Sequence, residues 1–265
     1  MFLKESKLIC PVCKAKLFDL STQLKCLKGH SFDLSKQGYV NLLLDNSHNK
    51  RHGDDKLMVK SRTDFLEKGY YSPLRDAVCE IVGDNQSVLD AGCGEGYYTE
   101  KIAERNTVCG IDISKDALKS AAKRCPDVSF AVASIFCIPV QDCSQDVVLN
   151  IFAPDSNGEF FRVLKDGGRL ITVQPMENHL FELKKAVYDI PYFNPGVEIE
   201  REGFDLVSKR ELKYSITLDT TEDIISLFKM TPYYYKTGKK DQEKLSKLNS
   251  LTTSVEFCVL EYKKK

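Results

Sequence analysis

The sequence predicts an α/β fold, a doubly wound and mainly parallel sheet preceded by a small metal-binding module, and three observations predict it. From Ser87 onward, short apolar runs alternate with amphipathic stretches. A turn with three alternating glycines, Gly92-Cys-Gly94-Glu-Gly96, follows the first of those runs. Ahead of both, Cys10-Pro-Val-Cys13 and Cys26-Leu-Lys-Gly-His30 place three thiols and an imidazole within the first thirty residues of a 265-residue chain.

Residues 1–44 hold the Cys/His quartet and run into Phe32-Asp-Leu-Ser-Lys-Gln-Gly-Tyr-Val-Asn-Leu-Leu-Leu44, and the polar, turn-rich residues 45–55 read as a linker. Residues 56–265 form the large domain. It opens with two helices between Lys56 and Val82, where Leu57, Met58, Phe65, Leu66, Leu74, Ala77, Val78, Ile81 and Val82 recur at helical spacing, interrupted around Gly69 to Pro73. Strands follow at Val88–Asp90, Val108–Asp112, Val128–Val132, Val147–Phe152 and Arg169–Val173, separated by helices at Tyr97–Glu104, Ser114–Arg124 and Asn157–Val163. A helix from Glu177 to about Asp189 precedes an irregular stretch. A strand near Leu212–Leu218, a helix from Thr221 and a closing strand at Ser254–Tyr262 complete the chain.

Composition bounds the function. The apolar content of 42% is that of an ordinary globular protein, and no window approaches eighteen consecutive apolar residues, so the expectation is a cytoplasmic protein with neither a signal peptide nor a membrane span. Of ten cysteines only Cys10, Cys13 and Cys26 cluster, and the rest are spaced as reduced core thiols. Net charge is zero, yet through Arg62 there are 12 Lys and Arg against 6 Asp and Glu, leaving the opening segment at +6 and the remainder at −6. That surplus suits an electrostatic footprint for phosphates, and equally the solubilising lysines common around zinc loops. Lys25, Lys28, Lys50, Arg51, Lys60 and Arg62 are the phosphate-contact candidates.

Two thiolates from Cys10 and Cys13, a third from Cys26 and the His30 imidazole suit a closed, tetrahedral structural zinc site, with no coordination position left for a substrate. A redox Cys-x2-Cys would leave Cys26 and His30 unexplained. Such a module is too small to stabilise itself without its metal. Its removal with residues 1–44 is expected to leave cofactor binding in the large domain.

The run Val88-Leu-Asp-Ala-Gly92 leads a buried strand into a turn whose glycines let the backbone approach a ligand, at the carboxyl end of the first strand where doubly wound sheets bind their ligands. A dinucleotide fingerprint would need its third glycine at position 97, which is Tyr97. The Gly-x-Gly-x-Gly spacing after Asp90 instead resembles the first motif of class I S-adenosylmethionine (SAM)-dependent methyltransferases. That resemblance implies a seven-stranded Rossmann-like sheet whose last strand is antiparallel. Asp112, ending the second strand, is placed to accept both ribose hydroxyls of a bound nucleoside, and Ser134 after the third strand is a candidate for the adenine amino group. Asp90, Gly92, Gly94, Glu95 and Gly96 complete the expected cofactor turn. The sulfonium is already an activated electrophile, so no covalent nucleophile is required, and no catalytic triad can be assembled from four histidines.

Taken together, the quartet, His30-Ser-Phe-Asp33, Lys36-Gln-Gly-Tyr-Val-Asn-Leu-Leu43, Gly53-Asp54, Arg62 to Phe65, Gly69-Tyr-Tyr71-Ser-Pro-Leu74, Asp90 to Thr99, Ile151-Phe-Ala-Pro154, His179-Leu-Phe-Glu-Leu-Lys184 and Met230-Thr-Pro232 resemble the RlmA-type methyltransferases. That family methylates N1 of a guanine in a hairpin of 23S ribosomal RNA. The resemblance covers nearly the whole chain and implies cofactor contacts from Tyr71, Gly94, Glu95 and His179. Phe152, after the fourth strand, is the candidate to stack on an extruded base. Asp155, where the family pattern has Cys after Ala-Pro, is the candidate general base for the guanine N1 proton. Two other classes stand beside this reading: a small-molecule methyltransferase with a structural zinc module, and a catalytically silent zinc-dependent RNA-binding protein. The sequence leaves oligomeric state open, a homodimer included.

Overall fold

The computed structural model describes residues 7–44 and 53–265. Lys50, Arg51 and most of the expected linker lie outside the described residues. Three short antiparallel strands, β1 (Leu17–Asp19), β2 (Gln23–Cys26) and β3 (Ser31–Asp33), form the module's own sheet in the order β1-β2-β3. β4 (Tyr39–Asn41) leaves that sheet and joins the large one.

The large domain begins with α1 (Lys56–Leu66) and α2 (Ser72–Val82). The Asp55 carboxylate starts α1 by accepting the backbone N–H groups of Leu57 and Met58, and Pro73 sits in the first turn of α2, where a missing N–H costs nothing. The alternating core follows as β5 (Ser87–Ala91), α3 (Tyr97–Ala103), β6 (Thr107–Asp112), α4 (Lys115–Arg124), β7 (Ser129–Val132), β8 (Gln145–Ile151), α5 (Asn157–Val163) and β9 (Leu164–Pro175). Then come α6 (Phe181–Val187), β10 (Phe204–Leu218), α7 (Thr221–Lys229), a 3-10 turn at Tyr234–Lys236, α8 (Lys239–Leu245) and β11 (Leu251–Lys264).

The strand order is β10-β11-β9-β8-β5-β6-β7-β4. Seven of these strands are the expected sheet. β11 is antiparallel to both its neighbours, because β10 and β11 form a long hairpin-like pair rather than a crossover unit. β10 begins at Phe204, well before the expected Leu212, and its alternation of buried and exposed residues is blurred by charges on the exposed edge. The central strands β5, β7 and β8 are buried on both faces, which is why they read as continuous apolar runs.

The eighth strand comes from the opening segment. β4 pairs in parallel with β7, Tyr39 opposite Phe130 and Asn41 opposite Val132. Farther back, the Ile9 N–H donates to the Pro139 carbonyl at 2.9 Å and the Gln141 N–H to that of Lys7 at 2.9 Å. Leu8, Leu17, Leu24, Val40 and Leu42 share one apolar cluster with Leu89, Ile111, Ile138 and Phe160 of the large domain. Excision of residues 1–44 would therefore bare a strand edge and one face of the core, so the expectation that the large domain keeps cofactor binding after that cut does not follow from this packing.

Candidate active site and metal centre

The quartet is assembled within the module. A tight turn follows Cys10, with the Lys14 N–H donating to its carbonyl, and a second turn brings the Gly29 N–H to the Cys26 carbonyl. All four donor atoms, one each from Cys10, Cys13, Cys26 and His30, lie within 4.8 Å of one another. Cys13 Sγ is 3.7 Å from Cys26 Sγ, and His30 Nδ1 is 3.4 Å from Cys26 Sγ and 3.5 Å from Cys10 Sγ. Zinc bonds of about 2.3 Å to sulfur and about 2.0 Å to nitrogen at tetrahedral angles space sulfurs about 3.7 Å apart and a sulfur and nitrogen about 3.5 Å apart. Donor set and spacing both fit Zn2+, with Nδ1 as the imidazole ligand. Burial pushes the Cys26 thiol up but is outweighed by hydrogen bonds from the His30 backbone and ring, which bring it down to about 6 and favour the thiolate a metal requires.

At the carboxyl ends of the parallel strands lies a cavity of about 1020 Å³. Tyr71, Asp90, Gly92, Gly94, Glu95, Asp112, Ser134 and His179 line it, as do Phe152 and Asp155. Gly96 does not. With φ +84 it opens α3, and a Cβ there would stand 3.2 Å from the Ala121 Cα of α4, so its work is helix packing. Gly92 has φ +89, and its Cβ would fall 2.4 Å from that of Ala153, so the turn can pass the β8 loop only as glycine.

The carboxylates around the turn are held by different means. Asp112 accepts the Gly94 N–H at 3.0 Å on one oxygen and the Ser114 N–H at 2.7 Å on the other, leaving acceptor capacity on both. Burial raises its pKa, opposed by those two N–H groups. Asp90, 2% exposed, accepts from Thr99 Oγ1 at 2.6 Å, and burial pushes it up to about 7. Glu95 is buried against Arg62, whose guanidinium lies 3.5 Å from it and 2.5 Å from Asp54. Arg62 is thus committed to an internal pair beside the cavity, whereas Lys25, Lys28 and Lys60 are exposed, Lys60 with its helix neighbour Asp64 as a surface partner.

Tyr71 and His179, 108 residues apart, meet with Tyr71 Oη 3.5 Å from His179 Nε2. The Glu256 N–H donates to His179 Nδ1 at 3.3 Å, so the ring proton resides on Nε2. Burial, with a smaller effect of Lys184, brings the His179 pKa down to about 3, and the ring is neutral. Phe257 packs against both rings, at 4.9 Å from Tyr71 and 4.7 Å from His179.

Phe152, whose ring lies 5.3 Å from that of Phe257, has φ 54, a conformation unfavourable for a bulky residue, and remains 45% exposed at the cavity's edge. The Asn150 amide donates to the Pro154 carbonyl at 2.8 Å and closes this loop. Asp155 is ion-paired with Arg201 at 2.8 Å. Sequence reasoning missed the stretch 198–202 on the cavity's rim, which is irregular and carries no motif, and it missed Thr172 and Tyr98.

The fit of a cofactor rests on unsatisfied atoms. Glu95, Tyr98 and Thr172 line the cavity; Tyr98 Oη and Thr172 Oγ1 are buried with no hydrogen-bond partner among the described residues, and Glu95 Oε2 has only the 3.5 Å ion pair with Arg62. Buried polar atoms of this kind call for a ligand partner. With the strand order β7-β6-β5-β8-β9-β11-β10 and the glycine turn at the end of β5, they define a class I SAM-dependent methyltransferase. A family described as "Methyltransferase domain" matches residues 83–194, and one described as "RlmA, N-terminal" matches residues 8–50. The chain belongs to the RlmA-type 23S rRNA (guanine-N1-)-methyltransferase family. It is 35% identical, over 95% of each chain, to the Bacillus subtilis protein YxjB, whose name provisionally assigns it as a 23S rRNA (guanine-N(1)-)-methyltransferase. It is 35% identical, over 79% of each chain, to the 23S rRNA (guanine(748)-N(1))-methyltransferase of Streptomyces fradiae. A malonyl-[acyl-carrier protein] O-methyltransferase of Hahella chejuensis is 32% identical over only 41% of this chain.

Proposed function

We propose that this protein transfers the methyl group of SAM to N1 of a guanine in a hairpin of 23S rRNA. The observation that carries this reading is the conjunction, in one cavity, of the cofactor turn and a strained, half-exposed Phe152 whose ring lies 5.3 Å from that of Phe257. When bound, SAM supplies a sulfonium-activated methyl, and the protein's task is to hold a nucleophile in line with it. Asp112 accepts the ribose hydroxyls with its free lone pairs, and Ser134 faces the adenine edge. Tyr71, whose oxygen takes the His179 Nε2 proton, is left with its own hydroxyl proton to donate to the cofactor. Phe152 stacks on the extruded guanine. Asp155, held by Arg201 at 2.8 Å, accepts the N1 proton. An Asp155→Ala protein with undiminished turnover would remove this last role.

The membrane has no part in this reading: among the described residues, no helix is long and apolar enough to cross one. The zinc module contributes recognition of the RNA through Lys25 and Lys28. The test is methylation of transcribed 23S rRNA followed by primer extension, since N1 methylation blocks base pairing and stops reverse transcriptase. The expected result is one SAM-dependent stop at a hairpin guanine. Methyl transfer to small molecules alone, or RNA binding without SAM binding, would replace the proposal with one of the two other classes.

A further inference from the structure

The loop that follows β7 joins the two halves of the molecule. Its Ser134, Ile135 and Phe136 line the cavity, while a few residues later the Pro139 carbonyl and the Gln141 N–H are hydrogen-bonded to Ile9 and Lys7 of the zinc module. The loop is built rigidly. Phe136 N–H donates to Ser134 Oγ at 3.2 Å, Cys137 N–H to the Ser134 carbonyl at 3.1 Å, and Ile138 N–H to the Glu159 carboxylate at 2.6 Å. Its backbone is thus pinned on both sides of Phe136, yet the Phe136 side chain is 66% exposed. At the next residue, Lys14, which follows the Cys10–Cys13 pair, reaches across from the module and places Nζ 3.7 Å from Cys137 Sγ. Lys14 holds φ 59, a strained value for lysine.

An exposed aromatic ring on a fixed loop that lines the cavity, with an ammonium held against the next residue, matches what single-stranded RNA needs. A base offers a π-face to stack, and its phosphate offers a charge to pair. We propose that Phe136 and Lys14 form a subsite for the nucleotide flanking the target guanine, the ring stacking on that base and the ammonium facing its phosphate. The proposal rests on the reading of the protein as an RNA methyltransferase. It assigns the flanking nucleotide to the seam between module and cavity, where recognition by the one is passed to chemistry in the other.

The test compares Phe136→Ala, Phe136→Trp and Lys14→Gln with the parent protein, measuring zinc content, SAM affinity by calorimetry, and KM and kcat on the 23S rRNA hairpin at several salt concentrations. Loss of a stacked base raises the RNA KM of the alanine variant by about tenfold to a hundredfold, with SAM affinity and zinc content unchanged. The tryptophan variant restores the parent KM. Lys14→Gln flattens the dependence of log affinity on log salt by about 0.7 to 0.9 for each phosphate left without its ammonium partner. If Phe136→Ala keeps the parent KM, or if its loss appears in SAM affinity instead, the ring covers no RNA base and the subsite is wrong. A parent protein that leaves 23S rRNA unmethylated fails at an earlier step and removes the functional reading, and the subsite with it.

Discussion

The zinc module and the glycine-turn end of the sheet are both sites of convergence, and they are held together by opposite means. In the module, residues 10 to 30 bring four donor atoms within 4.8 Å through two short turns, and a metal ion supplies the bonds. At the cavity, residues from 71 to 179 meet because the strands and their helices have already packed, and the local chemistry is unfavourable by itself. Asp90 is buried with its pKa raised, Tyr98 Oη and Thr172 Oγ1 have no hydrogen-bond partner among the described residues, and Phe152 holds a positive φ. The metal centre stabilises its surroundings, whereas the cavity draws on the stability of the sheet and keeps its unsatisfied groups for a ligand.

The comparison is tested most severely at a zinc ligand. Cys26→Ser should abolish zinc content and lower rRNA methylation more than about a hundredfold, because structural zinc contributes about 10 to 16 kcal/mol to such modules. SAM affinity, measured by calorimetry, should change far less. Equal loss of both would mean that β4 and the shared apolar cluster carry the whole sheet edge. The next largest effect belongs to Gly92→Ala. Its Cβ meets Ala153 at 2.4 Å in a backbone with φ +89, so thermal unfolding should reveal a loss of about 2 to 4 kcal/mol with zinc content intact. Asp112→Asn should weaken SAM binding by about tenfold to a hundredfold, as expected when charge-assisted hydrogen bonds worth about 1.5 to 3 kcal/mol are lost. RNA binding by the module should be spared.

A further effect is one of pH. Asp90 in the folded protein titrates near 7, above the ordinary range below 4, so the folded state holds a proton that the unfolded chain releases. Its contribution is complete below about pH 4 and is lost as pH rises through 7. The parent protein should lose on the order of 1 kcal/mol per pH unit across that window relative to Asp90→Asn, whose amide still accepts the Thr99 hydroxyl. Parallel melting curves for the two proteins from pH 5 to pH 7 would contradict the buried, protonated carboxyl.

Much of this was legible in the chain. Strand and helix positions from Ser87 to Val173 follow from apolar runs of the right length, and the quartet from its spacing. Less legible was the rim. Residues 198–202 have neither periodicity nor motif, and their place beside Asp155 is set by the Arg201 ion pair, 46 residues distant in sequence. Arg62 read as a phosphate contact because a tally of charges does not show partners. Its partners Asp54 and Glu95 appear only when the start of α1 is laid against the glycine turn.

The sequence by itself determined the constraints that act over a few bonds: two metal-binding turns, a glycine turn that admits no Cβ, and strands buried on both faces. Only the tertiary structure decided that β4 would leave the module and pair with β7, that Tyr71 and His179 would meet through the Nε2 proton, and that Lys14 would reach Cys137, the residue after Phe136, at the seam. The physical reason is reach. Backbone geometry and ligand spacing are written into neighbouring residues, whereas burial, ion pairing and protonation depend on which distant groups the packed sheet brings together.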